Sequence, residues 1–142
     1  LGLYMVGALE EMGELPDHDF QDNMGTLVAG IFRAVRFGAT SAHGVANMVR
    51  FNFFEESGAF TRDEATGTYR VDFDRTREAV NALSQKIIRF QGDGDYDGVV
   101  AFVEEYGGIR PQLQADLDRL AEIGIPVDIV YEQGLSVLGL GG

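Results

Sequence analysis

Apolar residues recur at helical spacing along most of this chain, and that period restricts the fold more than any other feature. In Leu1–Glu14, Leu3, Val6, Leu9 and Met12 share one stripe, with Glu10, Glu11 and Glu14 off it as a solvated face. Leu15–Phe20 is a loop broken by Pro16, and Gln21–Gly38 resumes the period through Met24, Leu27, Val28, Ile31, Phe32 and Val35. Thr40 or Ser41 caps a third helix, Ala42–Ser57, and Gly58 closes it. Asp72 or Asp74 opens a fourth that runs to about Phe90, with Val80, Leu83, Ile87 and Phe90 as its buried stripe. Asp95–Tyr106 and Pro111–Ile123 are two more, Pro111 standing where a first-turn proline belongs.

The period changes over Ala59–Asp72. Thr68, Tyr69, Arg70 and Val71 favour a strand and Asp63–Gly67 supplies turn residues, which together predict a short hairpin. Ile125–Val130 is a short strand-like run. The expected fold is mainly α, a multi-helix bundle with one short β-hairpin. No internal repeat and no domain-dividing linker is visible.

Composition narrows the function. A chain of 142 residues with 45% apolar content can bury a core. No run approaches the roughly 18 apolar residues of a membrane span, and no secretory signal is visible, so no membrane partner is expected. With no cysteine, thiolate metal sites are excluded, and the cytoplasm is the expected compartment. The net charge of −12 is spread evenly, and such a field repels phosphate backbones, so no nucleic-acid partner is expected.

Both ends suggest a piece of something larger. Leu1 is preceded by no capping residue, so the first helical pattern is expected to start inside a helix. Gly134–Gly142 is apolar and glycine-rich, and reads as an irregular or non-native tail.

Histidine chemistry is sparse. His18 and His43 are the two histidines, and neither belongs to a zinc-binding H-E-x-x-H helix. His18, between Asp17 and Asp19, reads as a solvated loop residue. No serine stands on a strand-to-helix elbow, and no glycine-rich phosphate loop follows a strand. The informative stretch is Phe37–Phe60, FGATSAHGVANMVRFNFFEESGAF. On its helix His43, Asn47 and Arg50 fall at i, i+4 and i+7, a polar stripe on an apolar element whose other faces carry Val45, Met48, Val49, Phe53 and Phe54. A first-turn histidine can present a proton donor to a cleft, or can be an ordinary partly buried residue.

One literal metal motif also occurs. Asp93–Glu104 matches the calcium-loop spacing of an EF-hand, with Asp93, Asp95, Asp97, Gly98 and Glu104 in register. The same residues read as a helix from Tyr96 with Asp95 as its cap and Tyr96, Val99, Val100 and Val103 on one stripe. The helix is the favoured reading; the calcium loop supports the alternative of a non-enzymatic calcium- or partner-binding module.

LGLYMVGALEEMGEL, the Phe37–Phe60 stretch and FDRTREAVNALSQKIIRFQGDGDYDGVVAFVEEYGG resemble the C-terminal part of the catalytic region of dipeptidyl peptidase III enzymes. The likeness is to their bacterial and plant branch, some members of which carry a fused Nudix domain. It divides the chain into 1–130, the helical part of that catalytic region, and 131–142, the tail. It implies a parent enzyme that uses zinc to remove dipeptides from the N-termini of short peptides, with the rest of the catalytic domain as this segment's partner. The family's zinc ligands and water-activating glutamate lie on motifs that precede the GLYM segment, so no metal ligand is expected in this chain. His43 aligns with a histidine that stabilises the transition state. Asn47 stands where animal-type enzymes have arginine; Asn47 and Arg50 are candidate substrate-binding residues.

Overall fold

Four side-chain oxygens decide where helices begin. Asp19 accepts from the Gln21 N–H at 2.7 Å, Ser41 from Gly44 at 3.0 Å, Asp72 from Arg75 at 3.0 Å and Asp95 from Gly98 at 2.9 Å. In the computed structural model, which describes residues 1–17, 19–36, 38–124, 134 and 137–139, the order is α1 (Gly2–Glu11), α2 (Phe20–Val35), α3 (Ala42–Glu56), β1 (Phe60–Arg62), β2 (Tyr69–Val71), α4 (Phe73–Asp93), α5 (Tyr96–Tyr106) and α6 (Pro111–Glu122). The strands pair antiparallel, Phe60 opposite Val71 and Arg62 opposite Tyr69. The expected mainly helical bundle with one hairpin is what forms.

α3 lies at the centre and touches α2, α4, α5 and β1. Its Met48, Phe51 and Phe54 are buried, as are Met24, Val28, Ile31 and Val35 of α2 and Val80 and Leu83 of α4. Phe51 meets Phe60 at 4.8 Å between ring centroids and Phe32 edge-on at 5.6 Å, and Tyr69 closes on Phe32 at 4.9 Å. These tilted and edge-on pairs suit the ring quadrupole and bind the hairpin to the helices.

Several expectations need correction. Phe20 does not end the loop; it is buried and opens α2, because Asp19 supplies the cap. Met12 is not on a buried stripe: α1 ends at Glu11 and Met12 is 71% exposed. Leu3, Val6 and Leu9 are only half-buried. The buried residue of α1 is Gly7, which packs beside the Phe20 ring and the Arg77 guanidinium. α4 continues past Phe90 to Asp93, where Gly94 at φ +65° takes the left-handed turn and donates to the Phe90 carbonyl. The strand expected over Ile125–Val130 lies outside the described residues, as do His18 and most of 131–142.

α5 forms as expected, with its valine stripe turned outward. Tyr96, Val99, Val100 and Val103 are exposed, and Phe102 is the buried residue. Phe102 packs on Tyr106 at 4.8 Å, Phe90 at 5.7 Å and Phe53 at 6.1 Å. One aromatic ring removes more apolar surface from water than a small valine side chain, so the rings choose the inward face.

Candidate functional site

The polar stripe sits on the first half of α3, whose start is tightly held. Ser41 caps Gly44, and Val45 donates to the Ser41 carbonyl at 2.9 Å. A Cβ on Gly44 would stand 2.7 Å from Cα of Ala39, so only glycine lets that backbone lie against the first turn. His43 is thus placed between a cap and a close backbone contact, with its own side chain exposed. It makes no hydrogen bond or ion pair among the described residues, which leaves its imidazole available to a ligand.

Asn47 and Arg50 follow on the same face, both half-buried. The Arg50 guanidinium donates to Asn47 Oδ1, and its Nε donates to the Ala46 carbonyl at 3.2 Å. No carboxylate pairs with Arg50 among the described residues. Burial alone lowers the Arg50 pKa from its ordinary value. The three candidates therefore share one helix face, and two of them touch.

Sequence reading missed Asn52, the residue that anchors this helix from behind. It is fully buried, and its Nδ2 donates to the carbonyls of Tyr106 at 2.7 Å and Gly108 at 2.9 Å. Those carbonyls end α5 and begin the turn to α6, where intrahelical partners run out. A lone amide flanked by Phe51, Phe53 and Phe54 was the available signal.

A second buried polar group lies between the hairpin and α6. Arg62 donates to both Asp116 oxygens at 2.8 and 2.9 Å, and the Tyr69 hydroxyl donates to Asp116 at 2.8 Å. The Arg62 hydrogen bonds hold the Asp116 carboxyl down at about 2 despite its burial. Burial, followed by the hydrogen bond to Asp116, pushes the Tyr69 phenol up. These bonds fasten the hairpin to α6.

The calcium reading does not survive the geometry. Residues Tyr96–Tyr106 are helical, the Asp95 side chain is taken by the Gly98 N–H, and Asp97 lies in the first turn beside the positive helix end. A loop cannot wrap an ion with those residues in a helix. Among the described residues no three His, Asp or Glu side chains come together to hold a metal.

No family model matches the sequence. Solved structures do. The structure of DPP III from Caldithrix abyssi superposes with a TM-score of 0.83 and 32% identity, over 99% of this chain and 26% of that one. The dipeptidyl-peptidase III from Corallococcus sp. strain EGB gives 0.80 and 31%, over 98% of this chain and 25% of that one. The chain is a dipeptidyl peptidase III-like segment.

This dipeptidyl peptidase III-like chain spans about a quarter of the solved structures it resembles. It is also 35% identical over 129 residues to Nudix hydrolase 3 of Arabidopsis thaliana, which is 91% of this chain and 17% of that relative. The relative's name points to a different hydrolase class. No helix among the described residues of the dipeptidyl peptidase III-like segment is long and apolar enough to cross a membrane.

Proposed function

We propose that the chain is the C-terminal helical part of a peptidase that releases dipeptides from peptide N-termini. The single observation that carries this is superposition on two dipeptidyl peptidase III structures over nearly the whole chain, at identities above 30%. His43 is the proposed catalytic residue, with Asn47 and Arg50 lining the path of the substrate. An exposed, unpartnered imidazole on a fixed helix start can donate to an oxyanion as it forms at the scissile carbonyl. The backbone that carries it is held by the Ser41 cap before substrate arrives.

The reading implies zinc in the parent enzyme. The described residues do not fit a zinc site, since they bring no three ligating side chains together. In this reading the metal would be held by the rest of the catalytic domain, and the part played by this segment is His43 and the helices that carry it.

The Nudix name supports a second reading, a different hydrolase, because that relative is 35% identical. The matched stretch is only 17% of it, and the same residues superpose on dipeptidyl peptidase III. A relative that carries a dipeptidyl peptidase III-like region beside a Nudix domain accommodates both. The test is mass spectrometry of unlabelled tetra- to octapeptides incubated with the full-length protein. Sequential loss of N-terminal dipeptides is expected; intact peptides, or loss of single residues, would contradict the proposal.

A further inference from the structure

Acids outnumber bases 23 to 11 in this chain, and buried or half-buried arginines readily find carboxylates. Arg62 sits on Asp116, Arg77 on Glu10 and Glu11, and Arg110 on Glu55 and Glu56. Arg50 differs. It is half-buried, and its two hydrogen bonds go to the neutral Asn47 amide and the Ala46 carbonyl. A guanidinium has five N–H donors in a planar fork, and the two bonds leave donors to spare. They also fix its plane. The result is a partly desolvated cation, held in one orientation and without a counter-charge among the described residues. Burial already lowers its pKa, the direction that an incoming anion would reverse.

Its position says what the anion accompanies. Arg50 is on the stripe that begins at His43, seven residues and about 10 Å of helix rise away. An extended peptide advances about 3.3 Å per residue, so the span is about three residues, and nearer two because the guanidinium folds back over Asn47. We infer that Arg50, braced by Asn47 and the Ala46 carbonyl, receives a carboxylate of the peptide substrate two to three residues beyond the carbonyl that His43 faces. This rests on the peptidase reading. If the scissile carbonyl belongs to the second residue, the N-terminal side is too short to supply that carboxylate. The carboxylate is then on the leaving side, at about the fourth or fifth residue. It is the free C-terminus of a tetra- or pentapeptide, or an acidic side chain at that place in a longer one. A carboxylate matches the guanidinium fork with two parallel hydrogen bonds.

The test compares tetra- and pentapeptide free acids, the same peptides as C-terminal amides, and amides ending in Glu, on the full-length protein. The free acids are expected to exceed the amides roughly ten-fold or more in kcat/KM, chiefly through KM. Recovery by the Glu amides would assign the receptor to any carboxylate; no recovery would restrict it to the C-terminus. In Arg50→Met the acids and amides should become alike, and Arg50→Lys should keep part of the difference. Equal kcat/KM for acid and amide in the wild type, or the same ratio in Arg50→Met, would overturn the inference and leave Arg50 a structural donor to Asn47 and the Ala46 carbonyl. If no dipeptide is released from any peptide, the peptidase reading falls. Equilibrium binding of the same acids and amides would still decide whether Arg50 holds a carboxylate.

Discussion

Asn52 and His43 stand nine residues apart on α3, half a turn out of phase, and they show two kinds of polar residue on one helix. His43 was legible because it begins a polar stripe with Asn47 and Arg50 on an otherwise apolar element. Asn52 was not, since periodicity marks which face is buried but cannot reveal that a distant helix end needs donors. Its two bonds reach the Tyr106 and Gly108 carbonyls, 54 and 56 residues along the chain. Asn52→Leu would fill similar space and strand both carbonyls in the interior. The expected loss is roughly 2 kcal/mol or more of unfolding free energy, measured by urea denaturation. Wild-type stability in that variant would mean that the two carbonyls find water instead.

At the scale of elements, the caps carried most of the readable information. Ser41, Asp72 and Asp95 were candidates from sequence and each caps its helix. The buried face of α5 was not legible from its valine stripe, because burial is decided by Phe102 against rings from two other helices. Those contacts are long-range and leave no local pattern. Asp95→Ala should lower stability by about 1 kcal/mol through the lost cap. Calcium titrated calorimetrically into the wild type should give no heat at micromolar concentration. Heat that disappears in Asp93→Ala would restore the calcium loop.

The hairpin-to-α6 connection has its own signature in pH. The Asp116 carboxyl titrates from 3.8 in the unfolded chain down to about 2 in the fold. The folded value is the lower one, so its stabilisation is complete above pH 4 and disappears as pH falls through 2. That is about 2 kcal/mol. Thermal midpoints measured between pH 5 and pH 2 should fall more steeply in wild type than in Asp116→Asn, which lacks the titrating group. Parallel curves would mean that Asp116 does not titrate in this range. Nothing in the sequence joined Arg62, Tyr69 and Asp116, since 54 residues separate the arginine from the aspartate.

For the molecule as a whole, the helical period and its change over Ala59–Asp72 were enough to give the bundle and its hairpin. The proposed chemistry was not readable from composition or spacing; it rests on the resemblance of long motifs, and the superpositions support the same family. The described residues assemble no ligand set, so the 142-residue chain by itself is expected to bind zinc at well below one ion per molecule, read by metal analysis after dialysis. A stoichiometry near one would place a metal site within this segment. The central claim concerns His43, and the most direct measurement is kcat for dipeptide release by the full-length protein with and without His43→Ala. Loss of one oxyanion donor costs about 2.7–4 kcal/mol, so kcat should fall about 100- to 1,000-fold with KM little changed. An unchanged kcat would remove His43 from the mechanism.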